Sequence, residues 1–146
     1  MNVLKELFTE ANKKLIREAI SDAEKNTSGE IRLHVESHSK VDVLDEAAFI
    51  FEKLKMDRTA DRNGVLIYLA VKDRKLAILG DSGINAKVPE NFWNDVVELM
   101  TNEFKQERFI EGLTAGIRLA GQQLGEHFPY QKDDVNELSN EISFGE

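Results

Sequence analysis

The chain has no cysteine. Disulfides, thiolate metal centres and cysteine nucleophiles are therefore excluded. Proline occurs only twice, and neither falls inside a segment that must be regular, so long elements can run uninterrupted. Histidine occurs three times. His34 and His38 lie four apart across a strand and its exit, and His127 is distant, a poor basis for an imidazole-bound metal. Neither G-x-G-x-x-G nor G-x-x-x-x-G-K-[ST] occurs, so no glycine-rich phosphate cradle is expected. No apolar run approaches the roughly 20 residues that span a bilayer. The first ten residues carry acids and no long apolar block, unlike a secretory signal. The expectation is a cytoplasmic protein that does not insert into membranes. Basic residues are the minority, 19 against 27 acidic, for a formal charge of −8. This balance argues against nucleic acid and anionic membrane as partners and is compatible with cations.

What is present is 146 residues, 41% hydrophobic, enough for one domain with a real core. The densest apolar stretch follows Arg62-Asn63-Gly64 and runs Val65-Leu66-Ile67-Tyr68-Leu69-Ala70-Val71. Its β-branched content favours a strand, and its lack of alternation requires cover on both faces. Upstream, residues 3 to 25 carry Leu4, Leu7, Phe8, Ala11, Leu15, Ala19, Ile20 and Ala23 at helical spacing. Asn26-Thr27-Ser28-Gly29 stops that helix. Glu30 to Glu36 alternates, with Ile31, Leu33 and Val35 apolar, as a half-covered strand does. Asp42 is an N-cap candidate for a helix to about Lys55 whose apolar residues are Leu44, Ala47, Ala48, Phe51 and Leu54. Residues 72 to 75 join the central strand to Leu76-Ala77-Ile78-Leu79 as a hairpin. Two helices follow, one after Pro89 and one from about Phe109. Gly112, Gly116, Gly121 and Gly125 in the last suit close helix packing. Residues 129 to 146 form an acidic tail, expected to be largely mobile, in which Ile142 and Phe144 could dock as a short strand.

The order α-β-α-β-β-α-α predicts a βαβ unit plus hairpin, a small mixed sheet in a three-layer α/β/α sandwich. Parallel first and second strands with an antiparallel third bring three connections to one end of the sheet. They would gather Glu30, Asp57, Asp61, Asn63, Asp81 and Asn85. Four carboxylates in one place repel unless spread out, protonated or holding a cation. Asp61-Arg62-Asn63-Gly64 matches the middle of a calcium loop, but Thr59 and Ala70 stand where the first and closing ligands would be, so it is no EF-hand. A cation here must take ligands from several loops. Hard oxygen donors point to Ca²⁺, with Mg²⁺ as the alternative. The plainer reading is that turns favour Asp and Asn. Gly80-Asp81-Ser82-Gly83 resembles a protease nucleophile motif, yet no His or Asp is placed by sequence to complete a triad.

Thr27-Ser28-Gly29-Glu30-Ile31, Thr59 with Arg62-Asn63-Gly64-Val65-Leu66, Gly80-Asp81-Ser82-Gly83-Ile84, and Phe109 with Glu111-Gly112-Leu113 and Gly116-Ile117 together resemble the TPM domain, over residues 5 to 128. The tail Asp134-Val135-Asn136-Glu137-Leu138 is similar to that of a short bacterial subgroup. The resemblance implies an α/β/α sandwich, a bound divalent cation in some members and, for some plant members, an acid phosphatase activity. Many relatives carry a signal peptide and a C-terminal membrane segment, and the expectation from the residues at hand is a chain with neither. Asp61, Asn63 and Asp81 are the positions it suggests as ligands. The expected function is thus a Ca²⁺-binding accessory domain. The rivals are a metal-assisted phosphatase and a metal-free module for an unknown protein partner.

Overall fold

A computed structural model describes residues 3–89, 91–130 and 140–145. The central strand of the sequence reading is β2 (Gly64–Ala70), and every one of its residues is buried. It pairs in parallel with β1 (Glu30–Glu36), from Glu30 opposite Gly64 to Glu36 opposite Ala70. It pairs antiparallel with β3 (Lys75–Gly80), from Val65 opposite Gly80 to Ala70 opposite Lys75. The connection between β2 and β3 turns through Arg74 at φ 53°. A fourth strand, β4 (Ser143–Phe144), lies parallel to β1 and completes the order β3-β2-β1-β4. The expected docking of the tail thus occurs at Ser143–Phe144. Residues 131–139 of the expected mobile tail lie outside the described residues.

Two apolar clusters sandwich the sheet, as a strand without polar alternation demands. On one face, Ile31, Leu33, Val35, Val65, Ile67 and Leu69 pack on α2 (Glu10–Glu24), α5 (Phe92–Lys105) and α6 (Phe109–His127). On the other, Leu66, Tyr68, Ala70 and Ala77 meet Ala47, Ile50 and Phe51 of α3 (Val43–Lys53) and Met56 of the single 3₁₀ turn Met56–Arg58. The short α1 (Val3–Leu7) precedes α2, and α4 (Ser82–Asn85) follows β3. Among the described residues no helix is long and apolar enough to cross a membrane.

Three local details depart from the sequence reading. The first helix is two, because the Thr9 side chain accepts from the backbone N–H of Asn12 and starts a new helix. Leu44 and Ala48, read as core residues of α3, are exposed, Leu44 at 56%, while Ala47, Ile50 and Phe51 carry the buried face. The polar side of β1 is not a solvent face: Glu30 and His34 are buried. The glycines of α6 serve close approach as expected. A side chain at Gly116 would run into Met100 of α5, and one at Gly121 into Ala23 of α2.

Candidate functional site

The parallel and antiparallel pairings place the start of β1, the start of β2 and the end of β3 at one end of the sheet. Hydrogen bonds lock the three connections together. Glu30 N donates to Asn63 O at 3.3 Å, Asp81 N to Gly64 O at 2.9 Å, and Gly83 N to Arg62 O at 2.8 Å. The last contact has no room for a side chain, since a Cβ on Gly83 would strike the carbonyl oxygens of Asp61 and Arg62. On the first connection, Thr27 donates its hydroxyl to Phe128 O at 2.5 Å and accepts from Gly29 N at 3.0 Å. This ties the turn before β1 to the end of α6.

The six acidic and amide residues do not share one environment. Asp81 is buried, but its carboxylate is engaged: Arg62 donates from Nε to Oδ2 at 2.7 Å and from Nη2 to Oδ1 at 2.8 Å, and Ser82 N donates to Oδ1 at 2.7 Å. This forked pair raises the pKa of the Arg62 guanidinium. Asn85 is also committed, donating from Nδ2 to Gly80 O at 2.7 Å and accepting from Trp93 Nε1 at 2.9 Å. Asp57 and Asp61 are exposed. Glu30 and Asn63 lie inward, 2% and 1% exposed.

Asn63 donates from Nδ2 to Ser28 Oγ at 3.5 Å, and its backbone N–H donates to Thr59 Oγ1 at 3.3 Å. Its Oδ1, although buried, has no hydrogen-bond partner. A buried acceptor left so costs about 1–3 kcal/mol of desolvation. The carboxyl of Glu24, at the end of α2, lies near Glu30, and its Oε2 accepts from Ile31 N at 2.8 Å. Burial, with the neighbouring Glu30 charge adding to it, pushes the Glu24 carboxyl up to about 8, against the hydrogen bond from Ile31. Glu24 thus keeps its proton near neutral pH. Sequence reading missed Glu24, because it sits on a helix whose other acids are solvated. Its one distinguishing sign is its position beside the turn that ends in Glu30. Among the described residues no group of three or more His, Cys, Asp or Glu side chains is arranged to hold a metal ion.

The engagement of Asp81 has a measurable consequence. Asp81→Ala removes the cap on Ser82 N, about 1–2 kcal/mol by itself, together with the partner of Arg62. Thermal melting should show a loss of roughly 3–6 °C. Asp81→Asn, which keeps an acceptor for Ser82 N, should lose less, and its loss relative to the wild-type protein should shrink in high salt.

With known proteins, the chain shows two kinds of similarity. The family model described as the TPM domain matches residues 1–123. No curated protein matches the chain. Among solved structures, the NMR structure of the BA42 protein from the psychrophilic bacterium Bizionia argentinensis is 49% identical, covers 99% of this chain and 100% of that one, and superposes with a TM-score of 0.91. The N-terminal domain of a P. gingivalis protein is 16% identical with a TM-score of 0.67, covering 86% of this chain and 83% of that one. The N-terminal domain of a Corynebacterium glutamicum protein is 14% identical with a TM-score of 0.63, covering 97% and 82%. The last two carry likeness of fold alone.

Proposed function

The chain belongs to the TPM domain family, and on that premise we propose that it is a divalent-cation-binding accessory domain whose ion is held at the entrance of β1 and β2. Glu30 and Glu24 supply carboxylate oxygens and Asn63 supplies its amide Oδ1. The observation that carries the reading is that buried Oδ1, which no protein donor reaches, supported by the Glu24 carboxyl that burial and the neighbouring Glu30 keep protonated. Both features disappear when a cation takes the place of the proton. Oxygen donors without imidazole or thiolate suit Ca²⁺, and Mg²⁺ second. Two carboxylates and one amide leave the rest of the shell to water, so the affinity belongs at the weak end, with Kd on the order of 10⁻⁴–10⁻³ M. Asp81 and Asn85 have no oxygen to spare at this site, and Asp57 and Asp61 contribute field rather than ligands.

About 10 mM Ca²⁺ should raise the melting temperature by roughly 5–9 °C. Glu30→Gln and Asn63→Ala should each abolish that rise, while Asp61→Asn should keep it. Calorimetry with no heat, and no stabilisation at that concentration, would remove the proposal. An equal rise in Glu30→Gln would move the ion elsewhere.

A further inference from the structure

The far end of β1 holds a second group of functional side chains that the cation site does not use. Ser143 of β4 lies opposite His34 of β1, and its Oγ is 2.8 Å from His34 Nδ1. His34 Nε2 is 2.9 Å from Glu36 Oε1, and Glu36 Oε2 accepts from the Tyr68 hydroxyl at 2.6 Å. The imidazole is 4% exposed and stacks on the Tyr68 ring, with centroids 5.9 Å apart and planes 12° from parallel. His34, Glu36 and Ser143 lie along a groove of about 950 Å³ that also reaches Lys40, Val41, Glu46, Phe49, Lys53 and Leu54.

We propose that Ser143, His34 and Glu36 form a hydrolytic centre for carboxylic esters, with Ser143 as nucleophile, His34 as base and Glu36 as the positioning carboxylate. Glu36 already accepts from Tyr68, and as a carboxylate it can only accept from His34 as well. In the neutral imidazole this puts the proton on Nε2 and leaves Nδ1 as the acceptor for the serine hydroxyl. The tautomer is the one a base needs, with the two ring nitrogens exchanged relative to the usual serine-protease arrangement.

Ser143 Oγ attacks the ester carbonyl carbon as its proton passes to His34 Nδ1. The carbon–oxygen bond to the alcohol breaks, and His34 returns the proton to the leaving oxygen. Water, deprotonated by His34, then attacks the acyl-serine, releases the carboxylic acid, and the proton returns to Ser143. The net reaction is ester and water to acid and alcohol. Gly145 N donates to Val35 O at 2.8 Å, so strand alternation turns the N–H of Phe144 away from β1. The N–H of the residue after a nucleophile is a usual oxyanion donor. The groove chooses the substrate class. Val41 and Phe49 are exposed apolar side chains, at 55% and 61%, while Lys40 and Lys53 are balanced on the same walls by Glu36 and Glu46. An ester with an apolar arm fits it.

The full chain treated with a fluorophosphonate should carry one adduct, which peptide mass spectrometry places on Ser143. Ser143→Ala should carry none, and Glu36→Gln should label at least tenfold more slowly at unchanged circular dichroism. Hydrolysis of 4-nitrophenyl butyrate should fall with the same variants and be indifferent to chelator. An unlabelled Ser143 in the wild-type protein overturns the proposal without recourse to any variant. So does equal labelling in Glu36→Gln, which would leave the three residues a pin for the C-terminal strand.

Discussion

Gly83→Ala is expected to destabilise the protein by about 2–4 kcal/mol, a larger effect than any surface charge change. The cause is space. Gly83 is not at positive φ, so its backbone does not need glycine. The added Cβ would meet two carbonyl oxygens of the main chain, and backbone cannot turn aside as the end of a flexible side chain can. The two connections must separate, and the hydrogen bond from Gly83 N to Arg62 O stretches with them. Arg62 then moves from Asp81. A double-mutant cycle on Arg62 and Asp81 should show coupling in the wild-type background and none beyond error in Gly83→Ala. Urea unfolding of the four variants in each background measures both effects. Coupling that survives in Gly83→Ala would mean that the ion pair, not the glycine contact, brings these connections together.

The second expectation is a stability that declines as pH rises, where carboxylates ordinarily make it rise. The Glu24 carboxyl ordinarily titrates near 4.5, and in the folded protein it is pushed up to about 8. Between those values the folded state holds a proton that the unfolded chain has lost, so the number bound is greater in the native state and the slope of unfolding free energy against pH is negative. The stabilisation is complete below about 4.5, is lost as pH climbs from 4.5 to 8, and is constant above. A shift of that size corresponds to at most about 5 kcal/mol over that window. The urea midpoint followed from pH 5 to 9 should fall in the wild-type protein and stay flatter in Glu24→Gln, which is neutral throughout. Asp73, held down by His38, acts in the opposite sense and at lower pH, and it cancels in the comparison. Parallel profiles for the two proteins would show that Glu24 holds no extra proton in the folded state.

Much of the frame was legible because it is local. The unbroken apolar run of β2, the alternation of β1, the Asp42 cap and the hairpin are each a property of fewer than about ten neighbouring residues, and the period of side chains states which structure can bury them. From that order alone it follows that the connections before β1, before β2 and after β3 meet at one end, and they do. Thr9, by contrast, reads as one polar residue among many in a helical stripe, and only its accepted hydrogen bond reveals a boundary.

The chemistry at each site was decided by the third dimension. Glu30, Asp81 and Asn63 are equally plausible oxygen donors in a linear chain. Folding hands Asp81 to Arg62 and Ser82, sets Glu30 against Glu24, and leaves Asn63 Oδ1 without a donor. Ser143 and His34 are 109 residues apart, and no spacing rule joins them. Sequence determines which segments must be covered, since hydrophobic periodicity is written in the order of residues. Which polar atoms are satisfied depends on directions and distances of a few ångströms between distant segments, and those exist only once the layers have packed.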